Sequence, residues 1–133
     1  MANYYVDNVS GNDSNNGTSP ETPWKTISKV NSQTFSPGDI IYFMEGTWEE
    51  KLECHDSGTS GNRITYTNYP TYSPWISGGS NEDCVVITGD YVTLQGIRIG
   101  GSSQESATTY DGIYVSGDYV AIEDCEILYG RRD

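Results

Sequence analysis

Basic residues are scarce: seven lysines and arginines face nineteen aspartates and glutamates, for a formal net charge of −12 over 133 residues. Gripping a phosphate backbone needs a cationic footprint, so no nucleic-acid partner is expected. No apolar run approaches the length that crosses a bilayer, and no membrane partner is expected either. Cysteine is limited to Cys54, Cys84 and Cys125. Their odd number, without CxxC or Cys/His spacing, indicates neither a zinc site nor a disulfide framework. Histidine is limited to His55, isolated beside Asp56, which gives no support to a catalytic histidine. Helical periodicity is absent outside one short stretch.

What the chain has is turn and strand material. Fifteen glycines and eleven tyrosines, with abundant Asn, Ser and Thr, favour short strands joined by tight bends. Superposing the chain on itself reveals a gapless repeat at an offset of 28 residues, Asp83–Ile99 on Asp111–Ile127. Gly-Asp-Tyr-Val recurs whole, at Gly89–Val92 and Gly117–Val120, and apolar positions fall on apolar positions throughout. Within each copy the alternation has period two and is interrupted twice, which predicts three short strands per repeat. Fainter copies place Ile64 21 residues before Val85 and Ile41 23 before Ile64. The predicted inward columns are Ile41, Ile64, Val85, Ile113 and Phe43, Tyr66, Ile87, Val115. Three strands per coil, stacked coil on coil, make an all-β right-handed parallel β-helix of about four rungs, because one rung cannot bury its apolar face alone.

An exposed rung needs a cover. Residues 23–31 supply one as a short amphipathic helix, with Trp24, Ile27 and Val30 on one face, Pro23 in its first turn and Thr22 as N-cap. The expected organisation is an N-terminal cap over 1–38 and β-helix rungs over 39–133. The C-terminal end shows no matching cap. That predicts either continuation in a longer parent protein or self-association through the open rung.

Four motifs in order carry a family resemblance: Tyr4-Tyr5-Val6-Asp7, Gly11–Thr18, Pro23-Trp24-Lys25-Thr26-Ile27 and Pro37-Gly38-Asp39-Ile40-Ile41-Tyr42. Ser57–Tyr66 and Asn68-Tyr69-Pro70 extend it. The chain resembles the start of the pectate-lyase-like right-handed β-helix proteins, in motif closest to polysaccharide lyase family nine and its relatives. The resemblance implies a secreted, extracellular carbohydrate-active protein with a polysaccharide partner. In the calcium-dependent lyases of this fold, it further implies a metal beside the uronate carboxylate and a Lys or Arg base.

If the offset of 28 is one coil, Asp83 lies over Asp111 and Asp90 over Asp118. Two carboxylates roughly 5 Å apart repel by about a kcal/mol near the surface, a cost that a bound cation offsets. Asp83 and Asp111 are therefore the candidate calcium ligands. Asp90 and Asp118 are read as turn residues with their charges splayed into water. The oxygen-rich stretch from Asp7 to Thr18 is read as side chains bonding to backbone to seat the cap, since no acidic residue closes it as an EF-hand loop. Tyr91, Tyr114 and Tyr119 are candidate sugar-binding residues, against the alternative that stacked tyrosines stabilise the sheets. Arg98 aligns with Glu126 as a cross-rung ion pair, and Cys54 and Cys125 read as core residues. No residue is assigned a catalytic role. The expected function is the N-terminal β-helix portion of a protein that binds or acts on (acidic) polysaccharide. The alternatives are a calcium-dependent pectate-type lyase and a self-assembling β-helix.

Overall fold

A computed structural model describes residues 2–78, 83–100 and 112–128. Among the described residues, twelve strands and one helix follow one another: β1 (Asn3–Val6), α1 (Ile27–Asn31), β2 (Ile40–Phe43), β3 (Thr47–Trp48), β4 (Leu52–Cys54), β5 (Ile64–Asn68), β6 (Trp75–Ile76), β7 (Val85–Ile87), β8 (Val92–Gln95), β9 (Arg98–Gly100), β10 (Ile113–Val115), β11 (Ala121–Glu123) and β12 (Glu126–Leu128). From β2 onward each strand pairs in parallel with the strand three places later. The chain therefore visits three sheets in rotation, β1-β2-β5-β8-β11, β12-β9-β6-β3 and β10-β7-β4. That is a parallel β-helix.

Alternation sorts the side chains. In β2, β5, β7 and β4 the buried positions are every second residue, and these fill a continuous core that includes Ile41, Phe43, Leu52, Ile64, Tyr66, Val85, Ile87, Leu94 and Ile99. The repeat registers as expected, with Ile113 on Val85, Ile122 on Leu94 and Ile127 on Ile99. The earlier columns do not. Ile64 pairs with Val92, Ile41 with Tyr66, and Leu52 occupies the position below Val85. All three sheets share the same apolar alternation, so an apolar triad alone does not reveal which sheet it joins.

The first coil is closed by a helix shorter than 23–31. Trp24 lies in an extended bridge to Val6, its amide donating to the Tyr5 carbonyl. Thr26, not Thr22, is the N-cap, its hydroxyl accepting from the Lys29 amide. Asp13 sets that start by accepting from the Lys25 and Thr26 amides and from the Thr26 hydroxyl. Ile27 and Val30 then point into the core, and Glu50 accepts from the Ile27 and Ser28 amides at the open first turn. β1 belongs to the five-stranded sheet, so the cap segment and the coils share one ladder.

At the other end, Val115, Ile122 and Ile127 are 36–44% exposed, although their partners one coil earlier, Ile87, Leu94 and Ile99, are fully buried. Among the described residues, none covers the interior of the last coil along the helix axis.

Candidate functional site

The Gly-Asp-Tyr turns between the three-stranded and five-stranded sheets stack on one another. A Cβ on Gly117 would fall 1.9 Å from the Gly89 carbonyl oxygen, and one on Gly89 2.0 Å from that of Asp56, so each backbone passes directly under the next. The following tyrosines adopt the left-handed region, at φ 54° for Tyr91 and 58° for Tyr119. This aims both rings the same way, and they stack with centroids 4.7 Å apart and planes at 9°. Arg63 completes the column. Its guanidinium lies 5.9 Å from the Tyr91 ring centre and donates to the Thr93 hydroxyl and to the carbonyls of Val92 and Tyr119. Tyr119 is 68% exposed.

Of the three candidate tyrosines, then, Tyr91 and Tyr119 come together and Tyr114 does not. Tyr114 lies on the outer side of the three-stranded sheet, paired with Val86, which pairs in turn with Glu53. A second aromatic group escaped the sequence reading. Tyr5 and Tyr42 stack across neighbouring strands at 5.2 Å, Tyr69 stands edge-on to both at 5.8 and 5.6 Å, and Tyr72 stacks on Tyr69 at 6.3 Å. All four are half-buried. The signal was the parity of Tyr5 and Tyr42, each beside an inward residue of its strand.

Of the candidate calcium ligands, Asp83 is half-buried just before β7, whereas Asp111 lies outside the described residues. Among the described residues no three His, Cys, Asp or Glu side chains converge as a metal site. The Asp7–Thr18 stretch turns its oxygens on the chain itself: Asp7 accepts from the Val9 and Ser10 amides, Asn12 from Ser14, and Asn16 from Thr18 and Thr22. Burial alone would raise the Asp13 carboxyl, but the Thr26 hydroxyl, the Lys25 and Thr26 amides and the Lys29 charge together hold it below the usual aspartate range. Asp90 does not simply face water, because its carboxylate accepts from the Asp118 amide of the next coil.

Lys25, Lys51, His55 and Arg98 each have a structural partner. Lys25 donates to the Asn8 carbonyl, Lys51 pairs with Glu53 at 3.3 Å, and His55 lies 3.4 Å from Asp56. Arg98 is in register with Glu126, but its guanidinium sits 5.4 Å from the Trp75 ring centre and donates to the Ser73 carbonyl. The expected Arg98–Glu126 ion pair is thus replaced by a cation–π contact, since Trp75 is the neighbour on the other side of the strand. Cys54 is fully buried against the Tyr66 hydroxyl, and desolvation pushes its thiol far up. Cys125 is packed at the edge of the core.

With the coil geometry in place, comparison with known proteins decides the family. The family described as Pel9A-like, right handed beta helix region, matches residues 4–133. The chain belongs to this family. Its coil is accordingly right-handed, as the sequence predicted. The uncharacterized protein YwoF of Bacillus subtilis (strain 168) is 33% identical over 140 residues, which take in 93% of this chain and 28% of that protein. The lacto-N-biosidase of glycoside hydrolase family 136 from Eubacterium ramulus superposes with a TM-score of 0.75 at 22% identity, over 95% of this chain and 27% of that one. Pectate lyase Pel9A superposes with a TM-score of 0.63 at 22% identity, over 90% of this Pel9A-like chain and 32% of the lyase. The chain thus spans about a quarter to a third of the length of the relatives it matches.

Proposed function

We propose that this chain forms the capped first coils of an extracellular carbohydrate-active β-helix protein, that it contacts polysaccharide through its outward-facing aromatic residues, and that it carries no complete catalytic set of its own. The observation behind this reading is the family match over 4–133, set against the small share of the carbohydrate-active neighbours that the chain covers. The engagement of Lys25, Lys51, Arg63 and Arg98 in structural contacts supports it, because a general base needs a free, deprotonated lone pair beside the substrate. The test is direct. The purified chain, given pectate with calcium, should release no unsaturated product detectable by ultraviolet absorbance, yet should be retarded by polysaccharide in affinity electrophoresis. Turnover, or migration unaffected by every polymer, overturns the respective half of the reading.

Calcium remains part of the proposal at the Asp83–Asp111 pair, one coil apart in sequence. A melting midpoint that is higher with calcium than with chelator supports it, and an unchanged midpoint removes it. A second reading is favoured by the exposure of Val115, Ile122 and Ile127: the open coil stacks on another copy. α1 covers the opposite end, so two copies would meet open end to open end as a closed dimer. A monomer in sedimentation at high concentration rules this out.

A further inference from the structure

The outer face of the five-stranded sheet departs from the rest of the molecule in charge. Its outward positions form two rows, Asn3, Ile40, Thr65, Thr93 and Ala121, and beside them Tyr5, Tyr42, Thr67, Gln95 and Glu123. Acidic residues number nineteen in the chain, yet in these rows a carboxylate occurs only at Glu123, on the strand farthest from the cap. The remaining positions are uncharged: hydroxyls, amides and aromatic rings, with the aliphatic Ile40 and Ala121.

Tyr69 and Tyr72 extend the row at its capped end. The ladder with β2 runs one residue past β5, where the Tyr69 amide donates to the Phe43 carbonyl, and the loop is then closed by a turn from the Tyr72 amide to the Tyr69 carbonyl. Asn68 fastens it by donating to the Tyr72 carbonyl. A ladder that only stabilised the sheet would need no more than the strand pair Tyr5–Tyr42. Here a loop adds two further rings to make one continuous aromatic patch. Among the described residues, none of the four phenol hydroxyls has a hydrogen-bond partner.

We propose that the Tyr5–Tyr42–Tyr69–Tyr72 patch is a saccharide-contact surface for uncharged pyranose residues. The inference rests on the carbohydrate-active reading above and narrows it. The C–H face of a pyranose lies well against an aromatic ring, and unpaired phenol hydroxyls can donate to or accept from sugar hydroxyls. The charge argument selects the polymer. A uronate chain approaching a protein of net charge −12 is repelled, and the rows beside the patch offer it no cation until Arg63, whose guanidinium is spent on Thr93 and two backbone carbonyls. A neutral glycan incurs no such penalty.

Affinity electrophoresis of the full chain in gels containing xyloglucan, galactan or polygalacturonate, without calcium, tests this. Retardation is expected with at least one neutral polymer and not with polygalacturonate. The double variant Tyr42→Ser/Tyr69→Ser should lose about tenfold or more in apparent affinity, as removal of two ring contacts implies. The loop variant Tyr72→Ser, which touches no ladder and so keeps the test valid should the double variant unfold, should lose several-fold. Glu53→Gln, on the three-stranded sheet, should bind a neutral polymer like the parent. If Tyr72→Ser and the folded double variant bind a neutral polymer unchanged, the patch is wrong while the carbohydrate-active reading stands. Retardation by polygalacturonate alone overturns the neutral assignment. Free migration with every polymer overturns both.

Discussion

Truncating the same column at two heights measures how the coil stack is stabilised. Ile41, Tyr66, Leu94 and Ile122 succeed one another on the inner side of the five-stranded sheet. Leu94 is fully buried, with Tyr66 on one side and Ile122 on the other, whereas Ile122 is 44% exposed. Leu94→Ala removes apolar atoms from a position whose neighbours are held by backbone ladders about 4.8 Å apart, so the walls cannot close on the void. A cost of about 3–4 kcal/mol follows, within the range for buried leucine truncations. Ile122→Ala removes a side chain that has left water only in part, and about half of a full burial term gives about 1 kcal/mol. Urea unfolding followed by the fluorescence of Trp24, Trp48 and Trp75 reads both. With a slope of about 2 kcal/mol per molar, Leu94→Ala should lower the midpoint by about 1.5–2 M and Ile122→Ala by about 0.5 M. Equal shifts, or a larger shift for Ile122→Ala, would refute the assignment of Leu94 to a sealed coil and Ile122 to an open one.

The cap should respond to acid. Asp13 is held below its ordinary value, so its contribution to stability is complete above about pH 4, where an unfolded aspartate is already ionised, and is lost as pH falls through the lower folded value. Asp13→Ala should flatten that acid limb of the melting curve and cost about 1–2 kcal/mol at neutral pH, seen as an earlier thermal midpoint. Thiol labelling of the native chain should reach Cys125 well before Cys54, because Cys54 is sealed in the core with its thiol driven far from ionisation, while Cys125 is only partly buried. Mass mapping after a timed maleimide exposure checks the order. Asp90→Ala should cost about 1 kcal/mol and Asp90→Asn less, since the amide oxygen still accepts from the Asp118 amide. Equal losses by denaturant titration would assign the effect to charge instead.

Much of the coil was legible because a repeat of fixed length writes its register into the sequence. The offset of 28 placed Val85 on Ile113, Leu94 on Ile122 and Ile99 on Ile127 without error. It failed where loops change length. Ile64 was matched to Val85, a residue of another sheet, because Ile-x-Tyr and Val-x-Ile satisfy the same inward alternation. The helix start was misplaced for a different reason. Thr22 and Pro23 have the local chemistry of a cap, but the decisive partner, Asp13, reaches Thr26 from another part of the chain. Likewise the Arg98 alignment with Glu126 was right in register, and only the Trp75 ring on the opposite neighbour explains why the charge turns away. Such partners lie across the stack, and a one-dimensional pattern does not rank them.

The stack also dictates where function can reside. Inward positions are taken by the core at every sealed coil, and the turns are pinned by the close passage of Gly89 and Gly117 beneath their neighbours. Outward strand positions and the loops that lie on them are left free to vary. Along the five-stranded sheet they do vary. The coils next to the cap carry Tyr5 and Tyr42 where the later ones carry Thr67, Gln95 and Glu123 in the same row. Sheet stability does not require that gradient, because threonine occupies a ladder as comfortably as tyrosine does. A surface that meets a sugar ring at one height and leaves it at another would select for it, so the change from aromatic to polar along a single row is the feature on which the proposed saccharide contact rests.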